Sequence, residues 1–360
     1  MTNLSEHRGW LIRVQHRGPA FTASTWEPMY KRWVWTDSAP SMLQARFRAR
    51  DRIDRVCAAE AEECGGGESR HMKNLATPKI TAIAPWFGSK RQIARHIVSV
   101  LGNHSAYFEP FCGSMAVLLA KQPSRMETVN DLHGDLINMA RCIRDPILGP
   151  KLYRQARRII ASDAELKSFD APIRYDSPQA PETINADRAL AFFVSSWMGR
   201  NGEVGLAKAE RGRDLSVRWG AGGGDCSTRY HAAVSSIPAW RRRLRDVLIL
   251  NRDGFDILEK INDKSDAAIY CDPPYIIKSD QYLHDFGNGF MGEDDHSRLA
   301  KVLAKFRRAR VVVSYYEHPR LAELYPAWRK IDLIRNRNLS SVSGADGSKK
   351  APEILLINPI

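Results

Sequence analysis

From about Thr81 onward, short apolar runs bounded by polar residues alternate with stretches of helical period. Ile93–Leu101 reads as a helix. Tyr107–Phe111 reads as a short apolar strand ending in Cys112-Gly113-Ser114, with an apolar helix, Met115–Ala120, behind it. Thr128–Asn130 is another strand end, closed by Asp131. Val247–Leu250, Ala267–Tyr270 and Val311–Ser314 are short, apolar and flanked by polar residues, the pattern of strands buried on both faces. Strands alternating with helices predict an α/β fold with a doubly wound, mostly parallel sheet. Such sheets bind ligands at the carboxyl ends of their strands.

Two stretches break the alternation. From about Pro150 to Trp240, helical segments give way to a polar, Gly- and Arg-rich region, Gly199–Arg229, which reads as an insertion between the two halves of the sheet. In residues 1–75, two aromatic β-prone stretches, Trp10–Val14 and Tyr30–Trp35, precede an expected Arg-rich helix from Ser41 to about Glu63. A flexible linker begins at Gly65-Gly66-Gly67. The expected organisation is therefore an appendage (1–75), a first core segment (76–149), an insertion (150–246) and a second core segment (247–360). Met72, just ahead of the alternating region, is an alternative start for the chain.

Composition narrows the class. Hydrophobic residues make up 43% and charged residues 26% of the 360, as in globular proteins, and no apolar run is long enough for a membrane span. The opening MTNLSEHRGW lacks a basic start before an apolar run, so no signal peptide is expected. The net charge of +13 fits attraction to a polyanion as well as plain solubility. None of the six cysteines forms a C-x-x-C pair and no His cluster accompanies them, so neither a metal site nor a disulfide framework is expected. The expected compartment is the reducing cytoplasm.

Four motifs carry candidate chemistry. Tyr270-Cys271-Asp272-Pro273-Pro274-Tyr275 follows an apolar strand, and its two prolines force the chain to turn. An exocyclic amine is a poor nucleophile because its lone pair is delocalised into the base. The Asp272 carboxylate and the Pro273 carbonyl could accept its hydrogens, and Tyr275 could stack on the base. The bland alternative is a strand-to-loop turn with an ordinary acidic cap. Phe108-Glu109-Pro110-Phe111-Cys112-Gly113-Ser114 sits at a strand-to-helix turn whose small residues let backbone amides approach a carboxylate. It lacks the G-x-G-x-x-G of a dinucleotide site, and alone it is equally a structural turn. Asp131 is placed either to bind ribose hydroxyls or to cap the next helix. Pro85-Trp86-Phe87-Gly88-Ser89-Lys90-Arg91 is either a loop closing over a small zwitterion or a surface turn.

Taken in order, these motifs resemble the Dam-like adenine-N6 DNA methyltransferases, from about Ile83 to the C-terminus. The resemblance implies a Rossmann-like class I methyltransferase core with a helical target-recognition insertion. It implies methyl transfer from S-adenosylmethionine to N6 of adenine in double-stranded DNA, with no metal and no membrane. The implied catalytic residues are Asp272, Pro273, Pro274 and Tyr275. Trp86, Lys90, Glu109, Phe111, Gly113, Asp131 and Asp272 are the implied cofactor contacts. Asn201-Gly202 resembles the edge of the family's DNA-reading region, and Ser340–Gly344 through Lys349-Lys350 resembles its closing loop, ahead of a last strand at Glu353-Ile354-Leu355. With the Arg-rich insertion, this makes Arg200, Asn201, Arg211, Arg213, Arg218, Lys349 and Lys350 the candidate DNA contacts. The sequence departs from the family at Met115, where a glycine is common, and in Glu203–Trp219, which does not closely match members that read GATC. Cytosine-N4 methylation, RNA methylation and a non-catalytic DNA-binding relative are the alternatives. Asp272, where the cytosine class more often carries Ser, favours adenine.

Overall fold

The structure, a computed structural model, describes the backbone of residues 2–7, 10–17, 20–27 and 32–39, and residues 80–86, 88–169, 180–199, 215–217, 225–276, 291–333 and 353–360 in full. The chain divides into two compact units, Met1–Ala76 and Thr77–Ile360.

The first unit contains a four-stranded antiparallel meander: β1 (Thr2–His7), β2 (Trp10–Arg17), β3 (Ala20–Glu27) and β4 (Arg32–Ala39), paired in chain order. The aromatic stretches expected to be β-prone fall in β2 and β4. Strands β1 and β3 lack an apolar run and were not anticipated. They are completed by pairing, with a register shift between Thr22 and Ser24. The helix expected at Ser41 to about Glu63 lies outside the described residues.

The second unit is built on helix α1 (Ala94–Leu101), strand β5 (Ala106–Glu109), helix α2 (Ala116–Ala120) and strand β6 (Met126–Asn130). Helices α3 (Gly134–Arg144), α4 (Leu148–Arg158), α5 (Asp163–Ser168), α6 (Ala186–Met198) and α7 (Cys226–Leu244) follow. Strand β7 (Leu248–Leu250), helix α8 (Gly254–Leu258), strand β8 (Ala267–Cys271), helix α9 (Glu293–Leu303) and strand β9 (Arg310–Tyr316) come next. Helix α10 (Arg320–Leu324) and strands β10 (Arg329–Asp332) and β11 (Glu353–Ile357) complete it.

The seven strands run in the order β10-β11-β9-β8-β5-β6-β7. All neighbours are parallel except β11, which pairs antiparallel with both β9 and β10. This is the expected doubly wound, Rossmann-like core. The period-2 geometry of each strand divides its side chains between two cores. Ala268 and Tyr270 join the core under α1, α3, α6 and α7, while Ala267, Ile269 and Cys271 join the core under α8 and α9. Val312 and Leu355 lie on the first side, and Val313 and Ile354 on the second. Every residue of β8 and β11 is buried, so both strands read as apolar runs without alternation.

The helices between β6 and β7 share the first core rather than standing apart from it. Leu152, Phe193 and Trp240 belong to the same cluster as Val129 and Tyr270. The indole N–H groups of Trp197 and Trp240 donate to the carbonyls of Ile83, at 3.2 Å, and Ile80, at 2.7 Å. Ala82, Ile83 and Ala84 are fully buried beneath them. This anchorage, with the Ile83 amide donating to the Ser114 carbonyl at 3.0 Å, delivers the chain from Trp86 to Lys90 to the carboxyl end of the sheet.

Candidate active site

The cavity at that end measures about 350 Å³, within the roughly 300–1,000 Å³ of small-molecule sites. Three strands supply an acid there in turn: Glu109 ends β5, Asp131 follows β6 and Asp272 follows β8. Trp86, Lys90, Glu109, Phe111, Gly113, Asp131 and Asp272 all line it, as do Pro273, Pro274 and Tyr275. The site residues proposed from the core motifs are therefore gathered around one space. Arg200, Asn201, Arg211, Arg213, Arg218, Lys349 and Lys350 lie outside the described residues.

The turn after β5 is shaped by two left-handed positions. Gly113 has φ 44° and Met115 has φ 59°. The Met115 amide donates back to the Cys112 carbonyl at 2.8 Å, closing a tight turn into α2. A Cβ on Gly113 would stand 3.0 Å from Trp86 Nε1, so this glycine also makes room for the indole. At Met115 a fully buried methionine occupies the strained conformation.

Asp131 fastens the first two strand ends together. Its Oδ2 accepts the Gly113 amide at 2.8 Å and its Oδ1 accepts the His133 amide at 2.9 Å. Beside it, the buried Asn130 side chain donates to the carbonyls of Pro110 and Arg252 and accepts the Arg252 amide. The cap of α3 is His133, whose ring accepts the Leu136 amide at 3.2 Å. Of the two sequence readings of Asp131, the helix cap falls to His133, while Asp131 braces a neighbouring turn and lines the cavity, where a ligand contact remains open to it.

Glu109 is 2% exposed, and burial pushes its carboxyl up to about 8 despite the hydrogen bond it accepts from the Tyr107 hydroxyl at 2.9 Å. At neutral pH it is mostly protonated.

Asp272 is held on both oxygens. Oδ2 lies 2.8 Å from Lys90 Nζ, and Oδ1 accepts the Ser314 hydroxyl at 2.7 Å. Burial holds its carboxyl above the usual range, and Lys90 and Ser314 offset only part of that rise. Lys90 is 4% exposed. Burial works against its charge, but Asp272 and Glu353 outweigh that and raise its pKa. Tyr275 is buried, its ring edge-on to Tyr316 with centroids 4.6 Å apart and its hydroxyl donating to Glu353 Oε1 at 2.8 Å.

Ser314 and Glu353 were not identified as site residues in the sequence. Ser314 is a polar residue inside the apolar run of β9 and Glu353 is an acid heading the apolar run of β11, and those are the signals that could have found them. Asp253, Phe255, Met291 and Asp295 also line the cavity without having been anticipated. No group of three or more His, Cys, Asp or Glu side chains able to hold a metal occurs among the described residues.

The strand order and the acids at successive strand ends define a doubly wound, Rossmann-like core with a ligand site at the carboxyl ends of its strands. The family profile of the D12 class N6 adenine-specific DNA methyltransferases matches residues 86–170 and 228–339, more than half of the chain, and the protein belongs to that family. It is 24% identical over 285 residues to a DNA adenine methylase of Vibrio cholerae, covering 78% of this chain and 96% of the relative. It is 25% identical over 283 residues to the Retron Ec67 DNA adenine methylase of Escherichia coli, covering 78% and 92%. Against the type II methyltransferase M.MjaIII of Methanocaldococcus jannaschii it is 25% identical over 300 residues, covering 76% and 97%. The protein is accordingly an adenine-specific DNA methyltransferase that draws on a methyl donor. Among the described residues no helix is long and apolar enough to cross a membrane.

Proposed function

We propose that the donor is S-adenosylmethionine, that the substrate is adenine at specific sites in double-stranded DNA, and that the enzyme acts in the cytoplasm where that DNA lies. The donor's chemistry suits the cavity. Its ammonium and ribose hydroxyls need acidic partners, which Asp131 and Asp272 offer, the protonated Glu109 adds a polar hydrogen-bonding group, and its purine needs apolar and aromatic surface such as Phe111 and Trp86. When bound, it supplies a methyl group already activated on a sulfonium, so no Lewis acid is required of the protein.

The protein's own contribution is positioning and hydrogen bonding. Each carboxylate oxygen of Asp272 has a second lone pair beyond those used by Lys90 and Ser314. With the Pro273 carbonyl, Asp272 accepts the two hydrogens of the adenine amine and draws its lone pair out of the ring plane. The proton shed on methylation passes to the Asp272 carboxylate. The target base is turned out of the duplex to reach the site, at a cost of a few kcal/mol.

One observation carries this reading: Asp272 sits at the end of β8, beside the space lined by all seven proposed donor contacts. Asp272→Ala is expected to retain its fold while losing methyl transfer, with donor affinity weakened rather than abolished. A tritiated-methyl assay on DNA showing near-wild-type turnover would sink the assignment, and label recovered in N4-methylcytosine or in RNA would move the substrate.

A further inference from the structure

Glu353 opens β11, whose antiparallel direction brings its first residue to the same edge as the carboxyl ends of the parallel strands, opposite Tyr316 of β9. It is 2% exposed. Its Oε1 accepts the Tyr275 hydroxyl at 2.8 Å and lies 3.2 Å from Lys90 Nζ. An ammonium has three hydrogens. Lys90 has three acceptors within reach: the Gly88 carbonyl at 2.6 Å, Asp272 Oδ2 at 2.8 Å and Glu353 Oε1 at 3.2 Å. In this arrangement its donors are directed to protein acceptors rather than to a ligand.

This bears on Asp272. Were Lys90 paired with Asp272 alone, the two would form a closed neutral pair, and the carboxylate's negative charge would be largely committed to its counter-ion. A second carboxyl group on the same ammonium divides its hydrogens between two acids, so that less of the Lys90 charge is committed to Asp272. Packing does not account for Glu353, because burying a carboxylate costs several kcal/mol that an apolar residue in this strand would avoid. The same side chain also fixes the hydroxyl of Tyr275, the aromatic ring of the proline turn.

We propose that Glu353 is a positioning residue for methyl transfer: it shares the Lys90 charge with Asp272 and pins Tyr275, so that the acceptor and the aromatic ring are set for the target base. The proposal rests on the function proposed above. It assigns to the last strand a part in the chemistry, and it makes Lys90 chiefly an organiser of Asp272.

Three variants test it, with Asp272→Ala as the control. Glu353→Ala removes both contacts. Glu353→Gln keeps an oxygen for the Tyr275 hydroxyl and removes only the charge. Tyr275→Phe removes only the hydroxyl. The readouts are the single-turnover transfer rate, calorimetric S-adenosylmethionine affinity without DNA, and the urea unfolding midpoint. We expect Glu353→Ala to lose about 10²-fold in rate, the size of a small misplacement of reacting groups, with donor affinity changed by less than about threefold. Glu353→Gln should recover the unfolding midpoint and part of the rate, and adding Tyr275→Phe to Glu353→Ala should cost little more. Full recovery of rate in Glu353→Gln would overturn the charge-sharing role. A wild-type rate in Glu353→Ala beside an inactive Asp272→Ala would overturn the proposal while leaving the function intact. If Glu353→Ala does not fold, Glu353→Gln decides alone: a reduced rate at normal donor affinity supports the proposal and a normal rate refutes it. An active Asp272→Ala would remove the function proposed above, and this inference with it.

Discussion

The Asp131 carboxylate accepts the Gly113 amide at 2.8 Å, joining the turn after β5 to the end of β6. These two turns form adjacent walls of the cavity, and the link is short, charged and directed at backbone. It gives Asp131 a role in shaping the site that precedes any contact with a ligand.

Replacing Asp131 therefore has two effects. Asp131→Ala leaves the Gly113 and His133 amides without their acceptor, and hydrogen bonds to charged groups contribute about 1.5–3 kcal/mol each. Donor affinity is expected to fall by at least about tenfold and the unfolding midpoint to drop with it. Asp131→Asn keeps one acceptor oxygen and should fall between. Calorimetry showing unchanged S-adenosylmethionine affinity in Asp131→Ala would refute the bracing role.

Met115 sets two effects against each other. Its left-handed backbone costs about 1–2 kcal/mol that glycine would not incur. Its side chain is fully buried, and vacating such a site costs about 2–5 kcal/mol. The cavity term wins, so Met115→Gly is expected to destabilise the protein by ~1–3 kcal/mol even though it relieves the backbone. A gain in stability by urea denaturation would show that the backbone strain dominates.

Glu109 makes stability depend on pH. Its folded-state pKa of about 8 lies above the ordinary 4.5, so the native state binds the extra proton between those values. The stabilisation is fully present below about 4.5 and is lost as pH rises through about 8. Glu109→Gln mimics the protonated form and should remove this slope, gaining on the wild type at pH 8 and above. Parallel stability curves for the two proteins across that window would contradict it.

We propose Arg200, Arg211, Arg213 and Arg218 as readers of the DNA site, on their place in a Gly-rich stretch of the sequence that is poor in apolar residues. An Arg bidentate to guanine contributes roughly 1–3 kcal/mol of discrimination, whereas a phosphate contact weakens all sequences alike and lowers the salt slope. At least one alanine variant is expected to relax the methylated motif at a single position. Sequencing of methylated DNA from cells expressing each variant distinguishes the cases. Four variants with an unchanged motif would place the readers elsewhere, Asn201, Lys349 and Lys350 included.

Much of the core is written locally. A run such as Ala267–Tyr270 announces a strand buried on both faces, and the observed strand, Ala267–Cys271, differs by one residue. Period and turn chemistry are properties of neighbours in the chain, so the alternation of β5, α2 and β6, and the acids that follow β6 and β8, could be read without coordinates. Asp131 and Asp272 were found this way, whereas Glu109, which the sequence pattern puts inside a strand Tyr107–Phe111, entered only through the family resemblance and proves to end β5. Strands β1 and β3 could not be, because TNLSEH and AFTASTWE carry no apolar run and become strands only through their partners.

The doubly wound class, the motif order and the motif side chains that meet at the cavity could be read from the chain alone, whereas Asp253, Phe255, Met291 and Asp295 could not. Only the tertiary structure decided how the motif side chains are held: Asp131 on the Gly113 amide, Ser314 on Asp272, and Glu353 on both Lys90 and Tyr275. The physical reason is direction. Parallel strands bring their last residues to the ligand edge, as sequence patterns foresee. An antiparallel β11 brings its first residue there, and which way a strand runs in the sheet is settled by its neighbours β9 and β10, not by its own residues.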